Sequence, residues 1–451
     1  MHTYRPHVHF SPKANWLNDP NGLVYLDGEY HLFFQYYPHD DVWGPMHWGH
    51  AVSRDLLHWE ELDVALKPYD DTMIFSGSAV IDVNNTTGFG YGPDGQPPLV
   101  AIYTSHFEKE GVIVETQSLA YSHDKGRTFA YYAGNPVLAD ATAKDFRDPK
   151  VFWYAPGGYW VLTLVAGDHV QFFKSPNLIE WELLSAFGKE HGSHGGVWEC
   201  PDLFELDGHW VLLVSVIDGG PNGGSATQYF VGDFDGTTFT CADEPTVTKW
   251  VDYGTDNYAG VTWINNPDGR KLFIGWMNNW PYARLTPSVG FRGTMTIPRE
   301  LRLVDGRLVQ QPVRELLAQV TPVDTLQADA AHLVTVRGQA VGTWTIKLGH
   351  GDALATVVTF DPEKEEVRFD RTQGSTVDFF ADFGKVVTAP YRVDASGQVE
   401  VQLLLDASSV ELILEDGRTW MTNQLFAQGY ETIEVAGDIQ HVEVSIQVWR
   451  R

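Results

Sequence analysis

Apolar and polar positions alternate in short runs along most of the chain. The runs are broken by Gly, Asn, Asp and Pro, and a period of two predicts strands rather than helices. Leu23-Val24-Tyr25-Leu26, Asp27-Gly28 and Glu29-Tyr30-His31-Leu32-Phe33-Phe34 read as strand, turn and strand. Asp-Gly between two apolar runs is a strong hairpin signal. The same figure returns over residues 203–213 around Asp207-Gly208. It returns again from 151–154 to 159–162 around Pro156-Gly157-Gly158, and from 261–264 to 271–274 around Asp268-Gly269. A looser copy runs from 78–82 to 99–103, with a Gly-, Pro- and Asn-rich insertion at 84–98 whose direction, over the rim of a site or away from it, the sequence leaves open.

A second signature follows the hairpins. Ser53-Arg54-Asp55-Leu56-Leu57-His58-Trp59 resembles Ser122-His123-Asp124-Lys125-Gly126-Arg127-Thr128-Phe129 and Ser175-Pro176-Asn177-Leu178-Ile179-Glu180-Trp181. In each, a polar turn leads to an aromatic residue that opens another strand. A unit is thus about four strands in ~45–70 residues, the size of a propeller blade. Five units fill residues 16 to about 300. Two stacked sheets would also suit short strands, but the ordered recurrence favours a propeller.

The pattern changes at Arg299-Glu300-Leu301, and residues 312–319 suit a short helical link. From 322 onward the chain alternates in short strands, such as 401–405 and 410–414, with Asp416-Gly417 as a turn. That reads as a β-sandwich. The expected fold is all-β, a five-bladed β-propeller followed by a C-terminal β-sandwich. Its parts are a propeller over 1–300, a linker over 301–321 and a sandwich over 322–451.

Composition narrows the partners. Hydrophobic residues make up 43% and Trp numbers 16, enough for a large core and against disorder. Lys and Arg number 31 against 59 Asp and Glu, a net charge of −28. Nucleic acid and anionic membranes call for a basic face, so a neutral or cationic partner or substrate fits better. Cys200 and Cys241 are the only cysteines, too few for a disulfide framework or a Cys-rich zinc site. His47 and His50 have helical metal spacing inside a strand pattern, and no metal or cofactor motif accompanies them. The start, Met1-His2-Thr3-Tyr4-Arg5-Pro6, lacks the apolar run of a signal peptide. The chain as written is expected in the cytoplasm, or outside the cell if a leader has been trimmed.

The repeats place the candidate chemistry. At the head of each unit stands a polar cluster. In order these are Asn18-Asp19-Pro20-Asn21-Gly22, Phe75-Ser76-Gly77-Ser78, Arg147-Asp148-Pro149, Trp198-Glu199-Cys200-Pro201-Asp202 and Asp256-Asn257-Tyr258-Ala259. Inner strands of a propeller surround one axis, so these clusters are expected to meet at one funnel mouth. A single Asp there would read as a turn cap. Asp19, Asp148 and Glu199 together suit glycoside hydrolysis, in which one carboxylate attacks and another donates a proton. Nearby Trp16, Trp43, Trp48, Trp198, Trp276 and Trp280 offer faces for sugar rings. The apolar setting of Glu199 favours a raised pKa and a general acid. Amide neighbours are expected to keep Asp19 ionised, and Arg147 to keep Asp148 ionised in an orienting role. Cys200 reads as a buried neighbour that tunes Glu199.

These motifs, Trp16–Gly22, Phe75–Ala79, Phe146–Pro149 and Trp198–Asp202, resemble glycoside hydrolase family 32, the invertases, inulinases and levanases. Ser408-Ser409-Val410-Glu411 and Asp416-Gly417 resemble that family's sandwich. The resemblance implies retention of anomeric configuration, with Asp19 as nucleophile, Glu199 as acid/base and Asp148 as transition-state stabiliser. It implies a fructose pocket lined by Asn18, Gln35, Trp43, Trp48, Ser78, Arg147 and Asp256. Phe75, Ser76, Cys200 and Trp280 are added as substrate-binding candidates. Segments 223–232 and 256–260 look most like exo-acting inulinases and levanases. The expected activity is release of terminal β-fructofuranosyl units from fructans, fructooligosaccharides and sucrose, without metal or cofactor. A fructosyltransferase shares the chemistry. A sugar-binding propeller would need the tryptophans but not three acids.

Overall fold

The computed structural model describes residues 4–350, 354–427 and 429–450. Five antiparallel sheets stand around one axis. Their inner strands are Asn15–Leu26, Met73–Ile81, Phe146–Tyr154, Trp198–Leu206 and Tyr258–Thr262, in blades I to V. Each inner strand touches the next, and that of blade V touches that of blade I, so the ring is closed. The last turn is sealed by the chain itself: Phe291–Arg292 pairs in parallel with Asn15 and Trp16 at the edge of blade I. Radial repetition of this kind leaves only short edges at the outer strands of the blades, such as Trp59–Glu61.

The hairpin turns behave as their residues dictate. Asp27 and Gly28 have φ of 51° and 89°, and Asp207 and Gly208 have 49° and 84°. Positive φ at both central residues is what the right-handed strand twist demands of a two-residue turn.

The propeller extends beyond the expected limit of 300. Arg299–Val304 pairs with Lys271–Trp276, and Arg307–Pro312 pairs with Arg299–Val304, so the two supply the outer half of blade V. The change of pattern near 299 marks a crossing from the blade's second strand to its third, not the end of the domain. The short helix Arg314–Gln319 then leads to the sandwich.

The sandwich is one nine-stranded sheet folded over on itself. Ala331–His350 and Thr432–Trp449 pair along most of their length and belong to both layers. Their register breaks at Arg337/Gln339 and Ala340/Trp344, and Gly437 across from Trp344 has φ of 98°. Bulges and a glycine at the bend let a strand turn the corner between layers. Trp344 and Phe360 stack at 4.0 Å inside.

Propeller and sandwich meet through buried charge. His9 bonds Asp406 at 2.7 Å and Glu411 at 3.3 Å. Arg299 of blade V bonds Asp252 at 2.9 Å and Thr422 of the sandwich at 2.7 Å. Arg371 of the sandwich bonds Asp256 of the propeller at 3.1 Å.

The insertion at 84–98 does not rise over the mouth. It leaves the far end of the blade II inner strand, where Asp82 binds the backbone and hydroxyls of Thr86 and Thr87. Thr86 in turn accepts the indole N–H of Trp160. The segment that stands at the mouth is the turn between Leu99–Lys109 and Val112–Ser122.

Candidate active site

All five inner strands break register at corresponding points. The breaks fall at Leu17/Pro20, Ile74/Gly77, Arg147/Lys150, Glu199/Asp202 and Tyr258/Val261. Proline lacks the N–H a ladder needs, and Pro20, Pro149 and Pro201 stand at three of the breaks. Asp148, Cys200 and Ala259 adopt φ of 65°, 48° and 54° there. A bulge re-aims side chains that a regular strand would send sideways. Here it turns Asp19, Asp148 and Glu199 into one cavity of about 710 Å³.

Each carboxyl has its own donors. Asp19 accepts from Asn18 Nδ2 at 3.0 Å and from Ser76 Oγ at 2.9 Å. Asn18 is itself held by Trp16 Nε1 at 2.7 Å. Asp148 accepts the Cys200 backbone N–H at 2.9 Å. The Cys200 thiol lies behind both, with Sγ 3.7 Å from Asp19 and 3.6 Å from Asp148. Glu199 accepts from Arg147 Nη2 at 3.1 Å and from the Tyr258 hydroxyl. Arg147 also reaches Glu115 at 3.2 Å and Asp145 at 2.8 Å. His106 bonds Glu115 at 3.0 Å and stacks on Phe75 at 4.0 Å.

Burial pushes the pKa of Asp19 up, against the pull of its Asn18 and Ser76 hydrogen bonds. Burial likewise raises Glu199, and the charge of Asp19 adds to it while Arg147 and Tyr258 oppose. Asp148 rises to about 8, first through burial and then through the charge of Glu199. The expectation that Arg147 keeps Asp148 ionised is therefore corrected: the guanidinium is spent on Glu199, Glu115 and Asp145. Three buried carboxyls in one pocket titrate as a unit, and all three are pushed toward the protonated form. That is the requirement for one carboxylate to attack while another donates. The Cys200 thiol is pushed well up by burial and the surrounding acids, which keeps it protonated and inert.

The pocket has a floor. Lys150 of blade III crosses to the carbonyl of Thr262 in blade V at 2.6 Å and to Asp202 of blade IV at 3.2 Å. Asp202 also binds the Thr262 backbone N–H at 2.7 Å. Three inner strands are thus tied together below the carboxyls.

Of the expected binding residues, Asn18, Gln35, Trp43, Phe75, Ser76, Arg147 and Trp280 line the pocket with the three acids. Others lie elsewhere. Trp48 is fully buried and donates to the Phe75 carbonyl at 2.9 Å, so it supports the wall from behind. Ser78 accepts the Val151 N–H at 3.0 Å, tying blade II to blade III. Asp256 precedes the inner strand of blade V and turns to Arg371 and to Tyr282, at 3.1 and 2.5 Å. Cys200 sits behind the carboxyls rather than on the surface of the pocket. Glu115, Asp145 and His106 belong to the site and were not anticipated, and Tyr258, expected at the mouth only as part of its cluster, bonds Glu199. Tyr258 was findable, because it holds in blade V the break position that Glu199 holds in blade IV. Glu115 lies on an outer strand, where no repeat signal marks it.

Comparison with known proteins bears on this geometry. Residues 9–312 match the glycosyl hydrolases family 32 N-terminal domain and residues 305–450 the family 32 C-terminal domain. The chain belongs to glycosyl hydrolase family 32. It is 44% identical to the levanase of Bacillus subtilis over 99% of this chain and 71% of that protein. The crystal structure of the exo-inulinase of Aspergillus awamori superposes with a TM-score of 0.92 at 36% identity, covering 99% of this chain and 98% of that one. A β-fructofuranosidase of Schwanniomyces occidentalis, complexed with fructosyl-erythritol, superposes with a TM-score of 0.88 at 31% identity, covering 99% and 98%. This family member is a glycoside hydrolase with the family's propeller and sandwich.

Proposed function

We propose that the protein is a retaining, exo-acting β-fructofuranosidase that removes terminal fructosyl units from levan, inulin, fructooligosaccharides and sucrose. The observation that carries this reading is the floored pocket with Asp19, Asp148 and Glu199 on its wall. Closure below the carboxyls leaves the mouth as the way in and out, and a chain end enters such a pocket more readily than the middle of a chain. The levanase and exo-inulinase relatives and the fructosyl-bound neighbour support the substrate class.

Asp19 attacks the anomeric carbon of the terminal fructosyl unit. The bond to the leaving oxygen breaks, and the Glu199 proton passes to that oxygen. Asn18 and Ser76 orient the attacking carboxylate through the bonds described above. Glu199 then takes a proton from water, whose oxygen displaces Asp19 and releases fructose with its β configuration. Arg147 and Tyr258 hold Glu199 in place, and Arg147 stabilises its ionised form between the two steps. Asp148 binds fructose hydroxyls in a contact that tightens in the transition state. Trp43, Phe75 and Trp280 wall the ring.

The test is initial-rate assay of fructose release from sucrose, inulin and levan. Free fructose from all three, with no oligosaccharide at the earliest times, is expected. Early oligosaccharides overturn the exo reading, and transfer products from concentrated sucrose in excess of hydrolysis favour a fructosyltransferase.

A further inference from the structure

The guanidinium of Arg147 is shared among three acids. Its Nε and Nη2 donate to Glu199 Oε1 at 3.2 and 3.1 Å. Its Nη1 donates to both oxygens of Glu115 at 3.2 Å and to Asp145 Oδ1 at 2.8 Å. Glu115 stands on Val112–Ser122, directly across the ladder from His106 of Leu99–Lys109. The His106 ring bonds it and is itself fixed by stacking on Phe75. A cross-strand partner thus holds Glu115 against Arg147, with only 3% of its side chain exposed. The carboxyls at the two arms of the guanidinium are pushed apart. Burial works against Glu115, but the His106 hydrogen bond and the charge of Arg147 bring it below the ordinary carboxyl range. Burial raises Glu199 in spite of Arg147. Two carboxyls separated in this way take different roles, one ionised while the other carries a proton.

We propose that Glu115 is a positioning residue for the reaction: it anchors Arg147 beside Glu199 and offsets its charge, so that Glu199 is steadied without being stripped of its proton. The inference rests on the proposed role of Glu199 as acid/base and deepens it. An unopposed guanidinium in contact with Glu199 would favour the carboxylate and weaken the acid. Asp145 acts on the same nitrogen more weakly, because its side chain is 39% exposed and solvent screens it. The other titratable groups that face Glu199 are Asp19, Asp148, Cys200 and Tyr258, and those that face Glu115 are His106 and Arg147. None of these is altered by a change at Glu115 or Asp145.

Glu115→Gln and Asp145→Asn test the proposal through the pH dependence of kcat/KM for sucrose, measured with the full chain. Glu115→Gln keeps the size of the side chain and removes one negative charge. Its alkaline limb should move to lower pH by about one unit, while the acidic limb, set by Asp19, stays within about a third of a unit. Asp145→Asn, at a position too exposed to threaten the fold, should move the same limb the same way by about a third as much. Glu115→Asp keeps the charge and should return the limb most of the way to wild type. An alkaline limb that stays in place in both neutral variants, or moves to higher pH, overturns the proposal. So does an equal loss of rate at every pH, which would make Glu115 a structural residue only. Glu199→Gln separates the two levels of inference. If the alkaline limb survives in that variant, Glu199 is not the acid and the functional reading of it falls. If the limb is lost there but unmoved in the other variants, Glu115 alone is wrongly assigned.

Discussion

Two buried clusters of charge lie in this molecule, and they are built on opposite terms. At the interface between propeller and sandwich every acid meets a cation: Asp406 and Glu411 meet His9, Asp252 meets Arg299, and Asp256 meets Arg371. Around the pocket, Asp19, Asp148, Glu199, Glu115 and Asp145 gather about Arg147, which bonds the last three. Among the described residues no cation is in ion-pair contact with Asp19 or Asp148. The consequence is visible in the pKa directions. Burial opposes Asp406, but the His9 hydrogen bond and charge bring it down to about 2. Asp19, Asp148 and Glu199 are all pushed up. Paired charge lies where two domains meet, whereas the pocket acids lack partners enough to hold them ionised and are left able to exchange protons. A balanced pocket would be more stable and inert.

The largest separation between the clusters is expected in turnover. Asp19→Ala should lower kcat by at least about 10⁴-fold on every substrate. Its melting temperature should not fall, since the substitution removes a disfavoured buried charge. A large loss of stability with kcat retained would place Asp19 among the structural acids. Glu199→Gln should cost about 10²–10⁴-fold on sucrose and less on a fructoside whose leaving group needs no proton. It should also erase the alkaline limb of the pH–rate profile, and survival of that limb at the same position would name another acid.

At the interface the expected loss is of stability. Arg299→Met leaves Asp252 and Glu411 buried without their guanidinium, at a cost of about 3–5 kcal/mol in urea unfolding. Activity of the folded fraction should stay near wild type. Asp148→Asn is expected to do the reverse, losing kcat while gaining about 1–2 kcal/mol near pH 8. The sign follows from a folded pKa of about 8 against an ordinary value of 3.8. The ionised form is the disfavoured one, so the penalty is absent below the unfolded pKa and grows as pH rises toward 8. The gain should therefore vanish near pH 4, and a gain independent of pH would contradict the assignment.

The smallest effect concerns His9, whose pKa is raised to about 9: burial alone would lower it, but Asp406 and Glu411 outweigh that. A raised histidine contributes stability that is complete below its unfolded value of 6.5 and is lost as pH rises through 9. The urea midpoint should decline over that window, and the difference from His9→Gln should shrink across it.

How much of this was legible beforehand depends on the kind of signal. Strand alternation and Asp-Gly turns are local, and they yielded the blades. The three pocket acids were legible because a proline beside a polar residue inside a strand is locally improbable, and the repeats multiply that signal. The family resemblance puts Trp48, Ser78 and Asp256 in the pocket, and they lie beside it or behind its wall. A strand sends alternate residues to opposite faces, so a shift of one position moves a side chain out of the site. Glu115 carried no local mark at all, since only the folding of blade II brings it to Arg147. The end of blade V was missed for a related reason: its outer strands follow a long excursion, residues 277–298, that breaks the repeat length.

A pocket closed below, with an attacking Asp19 and a proton-donating Glu199, should release one fructose at a time with its configuration kept. NMR of the earliest product from inulin reads both parts at once. Free β-fructofuranose ahead of mutarotation, with no oligosaccharide signals, is the predicted result. The α anomer as first product would contradict the double displacement, and early oligosaccharides would contradict the floored pocket.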